Sequence, residues 1–284
     1  MGVWLPDMGC CVDAASLLQH GRTSRLTRRT VPRFLKILCE YFTLYSSLAL
    51  LGLICLTWSL FAMPLYFILP TRLGTALGRR GIMAGFRLYS WSLWIMGAYR
   101  LDLRAIDVLK GGPPVILAPN HPALIDALLI LTRHPNLVCV MKSQLMNNVF
   151  LGAGSRLAGY VKNEPSRQMI KESVAHLRAG AVLLLFPEGT RTTRGPINPL
   201  VGSVGLIAKY ANVSVQTLLI ETDSPFLSKG WPLFRRPDLP ITYRVLLGRR
   251  FDPPADVAAF TEQLDQYYRH ALRDTLQSAW LKDA

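Results

Sequence analysis

The chain has 284 residues and a formal net charge of +14, from 32 Lys and Arg against 18 Asp and Glu. Half of its residues are hydrophobic and only 18% are charged, below the roughly 25% of an ordinary soluble domain, so neither a disordered chain nor a highly charged soluble protein fits. The length suits one catalytic domain of about 200 residues with an extension. The positive charge indicates an anionic partner, and the apolar excess favours phospholipid over nucleic acid.

The cysteines follow no spacing typical of a disulfide framework or a zinc site. They are Cys10, Cys11, Cys39, Cys55 and Cys139. We expect reduced thiols in a protein that faces the cytosol, with no metal site.

A basic arm, residues 1–40, precedes a long apolar segment. Its arginines are Arg22, Arg25, Arg28, Arg29 and Arg33. The segment that follows, residues 41–69, contains no Asp, Glu, Lys, Arg or His. As one straight helix it would extend about 44 Å, more than the ~30 Å of a hydrocarbon core. We therefore expect residues 41–98 to form a membrane-embedded and interfacial helical region.

Arginines also follow the apolar segment, so the positive-inside rule places both of its ends in the cytoplasm. These arginines are Arg72, Arg79, Arg80 and Arg87. A helical hairpin or a re-entrant element in the cytoplasmic leaflet satisfies the rule, and one tilted span is the alternative. Pro64 and Pro70 are expected to break the far end, and Gly52 offers a bend near the start. The predicted location is a bacterial inner membrane, with the catalytic domain on its cytoplasmic face.

Residues 83–96 carry one charge, Arg87, among aromatic residues such as Trp91 and Trp94. Aromatic side chains of this kind favour the headgroup level, which predicts a second, interfacial helix. A buried core helix of the catalytic domain explains the pattern equally well.

From residue 99 onward, short apolar runs alternate with amphipathic stretches. The predicted strands are 115–118, 137–141, 182–186, 214–220 and 241–247. The predicted helices are 122–133, 166–178, 202–211 and 255–281. This alternation predicts an α/β catalytic domain over residues 99–284, with a mixed, largely parallel sheet flanked by helices. Ligands bind beyond the carboxyl ends of the strands in such sheets, and two polar motifs lie there.

The first motif, Asn120-His121-Pro122 with Asp126 four residues further on, follows the strand 115–118. A histidine whose one ring nitrogen contacts a carboxylate can take a proton at the other nitrogen. In a regular helix, five residues separate the two side chains by about 140°, too far for contact. Pro122 instead suits the first helical position, which leaves His121 at the threshold, from where it can fold back toward Asp126. The plainer interpretation is a polar neighbour of a helix N-terminus.

The second motif, Phe186-Pro187-Glu188-Gly189-Thr190-Arg191, follows the strand 182–186. A loop with a glycine, a hydroxyl and an arginine at the end of a strand can hold a phosphate. Glu188 is unusual in such a loop, which indicates that it orients Arg191 or an acceptor hydroxyl. The plainer interpretation is a loop with a surface salt bridge.

Together the two motifs resemble the first and third sequence blocks of the glycerolipid acyltransferases, the 1-acylglycerol-3-phosphate (PlsC-type) group. The resemblance covers about residues 115–220, and Lys142-Ser143-Gln144-Leu145 is similar to the Lys-x-x-Leu after the family's second strand. The resemblance implies that the acceptor hydroxyl attacks an acyl thioester directly, without an acyl-enzyme. In this comparison His121 is the general base and Asp126 orients it. The implied acceptor-binding residues are Asn120, Glu188, Gly189, Thr190 and Arg191.

Two stretches depart from the family's pattern. The second block usually ends in an arginine that binds the acceptor phosphate, whereas Asn163 stands here and only Lys162 offers charge. Lysine lacks the planar fork of arginine, which weakens the case for a phosphate monoester in the acceptor. Lys162 and Asn163 are the expected acceptor-binding residues at this block. The fourth block, residues 213–218, keeps its apolar strand without the usual prolines.

We therefore expect a membrane-bound O-acyltransferase that uses acyl-CoA or acyl carrier protein as co-substrate and a lyso-lipid as acceptor, with no cofactor. Membrane phospholipid is the expected partner and nucleic acid is not, because no nucleic-acid motif occurs. The alternatives are an acyltransferase acting on a non-glycerophosphate lipid and a non-catalytic basic membrane-surface protein. Trp231, Phe234, Arg235 and Arg236 lie in a stretch that either touches headgroups or is an ordinary surface loop.

Overall fold

The computed structural model describes residues 33–280. Most of the predicted basic arm, including Arg22, Arg25, Arg28 and Arg29, lies outside the described residues, as do Cys10 and Cys11. Two long helices come first, α1 (Arg33–Ile68) and α2 (Thr71–Ile95), and an α/β domain follows them.

The two long helices form an antiparallel hairpin. Gly81 of α2 faces Trp58 of α1, and Gly85 faces Ile54, one turn earlier in α1. By length and composition α1 is able to cross a membrane, and only 17% of its apolar window is buried.

Of the two predicted breaks at the far end of the apolar segment, the one at Pro64 is wrong and the one at Pro70 is confirmed. Pro64 lies inside α1, and Gly52 does not interrupt the helix either. A proline removes one backbone hydrogen bond, which a long helix tolerates, and ending the helix there would expose many more unpaired backbone groups. The chain turns at Leu69 and Pro70, where the apolar segment ends.

The arginines that follow the apolar segment lie on α2, which doubles back along α1. Arg79 donates from Nε to the carbonyl of Ala158 at 3.0 Å and from Nη1 to the side chain of Asn136. Arg87 donates from Nε to the carbonyl of Thr132 at 2.7 Å. These two side chains therefore attach the hairpin to the α/β domain, which corrects their interpretation as simple flanking charges.

One face of α2 packs in the protein core and the other is exposed. Tyr89 and Leu93 are buried in the same core as the sheet, whereas Trp91 and Trp94 are exposed. The core-helix interpretation of residues 83–96 therefore holds for one face of the helix.

The α/β domain contains a seven-stranded sheet. Its strands are β1 (Tyr99–Asp102), β2 (Ile116–Pro119), β3 (Leu137–Met141), β4 (Val161–Lys162), β5 (Val182–Leu184), β6 (Val215–Thr222) and β7 (Ile241–Phe251). Their order is β1-β7-β6-β2-β5-β3-β4, and every pair is parallel except β6 and β7. The prediction of a mixed, largely parallel sheet is confirmed. Since β2 lies in the middle, its carboxyl end adjoins the ends of β5 and of β6.

Six further α-helices and one 3-10 helix, Arg104–Leu109, complete the described residues. The α-helices are α3 (Asp126–Leu131), α4 (Ser143–Met146), α5 (Gly152–Leu157), α6 (Ser166–Arg178), α7 (Ser203–Ala211) and α8 (Val257–Trp280). β3 and α6 have the predicted bounds. Sequence analysis missed β1, β4, α4 and α5, because elements this short carry little periodic signal. The predicted helix 122–133 begins too early, since α3 starts at Asp126.

Candidate active site

The structure brings His121 and Asp126 together beyond the carboxyl end of β2. The Nδ1 atom of His121 lies 2.8 Å from Oδ2 of Asp126. The same carboxylate oxygen accepts the backbone N–H of Ala123 at 2.8 Å. This hydrogen bond holds residues 123–125 in a turn, so that α3 begins only at Asp126. His121 therefore reaches the carboxylate from outside the helix, across the turn.

The pair is buried on one side and open on the other. The side chain of Asp126 is fully buried, whereas that of His121 is 15% exposed. Burial raises the pKa of the Asp126 carboxyl, and the hydrogen bond from His121 opposes this shift. An ionised carboxylate only accepts hydrogen bonds, so the Nδ1 of His121 carries the proton. Its Nε2 is then the nitrogen that can take a proton from a substrate.

Phe186 fixes the plane of the imidazole. Its ring stacks on that of His121 with 3.9 Å between the centroids and 23° between the planes. Phe186 follows β5, the strand next to β2 in the sheet. Phe186 belongs to the second motif, but nothing in the sequence shows which ring faces the histidine.

Glu188 holds the main chain of His121. Its Oε1 accepts the backbone N–H of His121 at 3.0 Å and the hydroxyl of Thr192 at 2.8 Å. Its Oε2 accepts the backbone N–H of Asn198 at 2.9 Å. The carboxylate is buried, and among the described residues its hydrogen bonds go to these three groups rather than to Arg191.

Thr192 and Asn198 are site residues that sequence analysis missed. The backbone N–H of Thr192 donates to the carbonyl of His121 at 2.8 Å. The side chain of Asn198 accepts the N–H of Thr193 at 3.1 Å and donates to the carbonyl of Arg191 at 3.1 Å. Thr192 directly follows the second motif, a signal that could have found it. Asn198 lies seven residues beyond Arg191 with no motif around it.

Asn120 extends the sheet beyond the end of β2. Its side-chain oxygen accepts the N–H of Ile220 at 2.7 Å, and its side-chain nitrogen donates to the carbonyl of Ile220 at 3.1 Å. Both ends of the amide are therefore used to join β2 to β6.

In the loop after β5, Gly189 adopts a φ of +65°, a conformation that favours glycine, and Thr190 beside it is half-buried.

Arg191 faces the chain that follows β6. Its Nη1 donates to the carbonyls of Leu227 at 2.9 Å and of Ser228 at 3.0 Å. These bonds use one of the three guanidinium nitrogens and tie the second motif to the loop of residues 223–240, which we call the β6–β7 loop.

Lys162 lies in β4, the edge strand of the sheet, and Asn163 follows it; β5 and β3 separate this strand from β2. The side-chain oxygen of Asn163 accepts the backbone N–H of Ser143 at 3.1 Å, at the start of α4. Asn163 therefore supports α4, while Lys162 is exposed. Lys142, directly after β3, is also exposed.

Comparison with known proteins agrees with this architecture. Residues 100–221 match the family model described as Acyltransferase, and that stretch includes both motifs. The fold is similar to the crystal structure of the 1-acyl-sn-glycerophosphate (LPA) acyltransferase, PlsC, from Thermotoga maritima, with a TM-score of 0.60 and 17% sequence identity. The match covers 86% of this chain and 97% of that one. At this identity the similarity of structures concerns the fold.

Proposed function

Because residues 100–221 match the family model described as Acyltransferase, we propose that this chain is a membrane-bound enzyme that acylates a lyso-lipid. The acyl group comes from acyl-CoA or acyl carrier protein, and the acceptor is 1-acyl-sn-glycerol-3-phosphate or a related lysophospholipid. The observation that carries the proposal is the contact of 2.8 Å between His121 and Asp126 at the open end of β2.

The chemistry follows from this contact. Nε2 of His121 removes the proton from the acceptor hydroxyl while the oxygen attacks the thioester carbonyl. Asp126 holds the ring and stabilises the imidazolium that forms. When the tetrahedral intermediate collapses, the carbon–sulfur bond breaks, and the departing thiolate takes the proton from His121. The products are an ester and a free thiol.

Exposed positive charge supports an anionic acceptor. Lys142 and Lys162 are both exposed at the carboxyl ends of β3 and β4, the end of the sheet at which His121 also lies. Lysine acts as a point charge without the bidentate geometry of arginine. Such a pair suits a phosphodiester headgroup as well as a phosphate monoester.

The exposed face of the hairpin supports a place in the membrane. Large apolar side chains along α1 and at the start of α2 are exposed, among them Leu60, Phe61, Phe67, Ile68 and Leu73. An apolar surface of this extent is typical of a membrane or protein contact site. We place the hairpin in the inner membrane of a bacterium, with the α/β domain on the cytoplasmic face.

The test is acyl transfer by the purified full chain in vesicles of phosphatidylethanolamine and phosphatidylglycerol. Labelled acyl-CoA and acyl carrier protein are each supplied with a panel of lyso-lipids, including one without a glycerophosphate. We expect diacyl product from the wild type and a loss of about 10²–10⁴-fold in kcat for His121→Ala and for Asp126→Asn.

His270→Ala, a change of an exposed histidine on α8, is the matched control and is expected to keep the wild-type rate. Undiminished transfer by His121→Ala would exclude the mechanism. Vesicle binding without transfer from any donor to any lyso-lipid would favour the non-catalytic membrane-surface protein.

A further inference from the structure

A cavity of about 290 Å³ lies beside the His121–Asp126 pair, between α1, α3 and the β6–β7 loop. Leu124 and Ile125 line it, and they occupy the turn that joins His121 to Asp126. The wall contributed by α1 includes Leu48 and Leu51. The turn between His121 and Asp126 therefore forms part of the wall of this cavity.

One buried carboxylate faces this mostly apolar space. Glu40 of α1 lines the cavity and is 3% exposed. Its Oε2 is paired with Arg236 of the β6–β7 loop. Its Oε1 accepts no hydrogen bond from the described residues, and Nζ of Lys36 lies 3.6 Å away, beyond hydrogen-bond distance. A buried carboxylate oxygen in this state is unfavourable unless something else donates to it.

Two hydroxyl-bearing residues continue this polar strip along α1. Thr43 and Ser47 follow Glu40 by three and seven residues, so they share its face of the helix, and both line the cavity. The Ser47 hydroxyl donates to the carbonyl of Leu44 at 2.9 Å and is also hydrogen-bonded to the side chain of Tyr89, another residue that lines the cavity.

The charges around Glu40 select the kind of donor. Arg236 and Lys36 already provide two cations for one carboxylate. A third cation, such as the ammonium of a lipid headgroup, would be repelled. A neutral hydroxyl satisfies Oε1 and accepts a hydrogen bond in return.

We propose that this cavity receives a lipid acyl chain that carries a hydroxyl group, and that the hydroxyl donates to Oε1 of Glu40. The proposal rests on the proposed function, because the chain enters either on the acyl donor or on the lyso-lipid. The β6–β7 loop closes the cavity and is held at both sides, by Arg236 on Glu40 and by Arg191 on Leu227.

The first experiment measures binding and needs no turnover. Hexadecanoic acid and its analogues, hydroxylated near the carboxyl end, at mid-chain or at the methyl end, are titrated into the purified full chain by calorimetry. We expect at least one analogue to bind the wild type about tenfold or more tightly than hexadecanoic acid, because a site built to hydrogen-bond a hydroxyl discriminates against its absence.

The double variant Glu40→Leu/Arg236→Met removes the carboxylate without leaving its partner unpaired in the protein interior. This variant is expected to bind the hydroxylated acids no more tightly than hexadecanoic acid, and to bind hexadecanoic acid with the wild-type affinity. Thr43→Val, which nearly preserves volume, is the second variant and is expected to reduce the preference by a smaller factor. Equal binding of hydroxylated and plain acids by the wild type, or a preference that survives the double variant, would overturn the proposal.

Acyl transfer then identifies the source of the chain. The hydroxyl is placed either on the acyl-CoA or on the fatty chain of the lyso-lipid, and kcat/KM is compared with that of the unsubstituted substrate. If the double variant loses the preference for hydroxylated acyl-CoA, the chain in the cavity comes from the acyl donor. If it loses the preference for the hydroxylated lyso-lipid, the chain comes from the acceptor. If no substrate is acylated although the acids bind as expected, the proposed function fails and the hydroxyl site stands.

Discussion

The side chain and main chain of His121 are both immobilised. Its ring is bound to Asp126 at 2.8 Å and stacked on Phe186. Its backbone N–H is bound to Glu188 and its carbonyl to Thr192. Displacing a reacting group by about 1 Å can lower a rate by about 100-fold, so in the proposed reaction these contacts would affect the rate without touching substrate.

A variant of Glu188 distinguishes two roles for the second motif, which are positioning His121 and binding the acceptor. Replacing Glu188 with Ala removes three hydrogen bonds, and we expect kcat to fall by about 100-fold with little change in the KM for the lyso-lipid. Steady-state kinetics with the lyso-lipid varied provide the measurement.

Thr192→Val removes one of these bonds and keeps the backbone contact with His121, so it should lower kcat by a smaller factor. A raised KM with an unchanged kcat in Glu188→Ala would show instead that Glu188 binds the acceptor.

At the scale of elements, the hairpin is held together by glycines on α2. A Cβ added at Gly78 would lie 2.5 Å from the backbone nitrogen of Ala158, which follows α5. A Cβ added at Gly81 would lie 2.2 Å from the ring of Trp58. The close approach of α2 to both neighbours therefore depends on missing side chains.

Gly78→Ala is expected to lower the free energy of unfolding by about 1–3 kcal/mol, because backbone atoms of the neighbouring element have to move. Gly85→Ala is the matched control. Its added Cβ would meet a methyl group of Ile54 at 3.1 Å, and alanine is favoured over glycine inside a helix by about 1 kcal/mol. Thermal unfolding in detergent compares the two, and equal melting temperatures would contradict the proposed role of Gly78.

At the scale of the whole molecule, a histidine helps to join the hairpin to the α/β domain. Nη2 of Arg79 lies 3.3 Å from Nδ1 of His176, so the contact requires Nδ1 to be unprotonated. Burial lowers the pKa of His176, and Arg79 lowers it further, while Glu172 opposes the shift. Protonation of His176 would place two cations against each other across the junction.

The stability of the molecule should therefore depend on pH. Because the folded-state pKa of His176 lies below the reference value of 6.5, the unfolded chain takes up the proton first, and the free energy of unfolding falls as the pH drops below 6.5. Denaturant unfolding between neutral and acidic pH measures this loss. His176→Gln is expected to lose less stability on acidification than the wild type. The loss that remains in this variant includes the contribution of His134, whose pKa is also lowered by burial. A variant with the wild-type pH dependence would exclude this role for His176.

Local signals were sufficient for much of the fold. The alternation of apolar runs after residue 99 predicted a mixed, largely parallel sheet, and β3 and α6 have the predicted bounds. The start of α3 was missed because it depends on where the Asp126 carboxylate finds a partner. The break at Pro70 was predicted and is confirmed, whereas the predicted break at Pro64 is wrong, because proline alone does not show whether a long helix continues or ends.

The sequence by itself determined the chemistry available to the site, because His121, Asp126 and Glu188 lie in two motifs that each follow a buried strand. Only the tertiary structure decided what each side chain does. Glu188 bonds to the main chain of His121 and Asn163 supports α4, since strand order and loop packing, rather than distance along the chain, choose their partners. The same holds for Glu40, which sequence analysis did not single out. Its importance arises where α1 packs against the β6–β7 loop, and contacts between residues so far apart in the chain leave no local pattern.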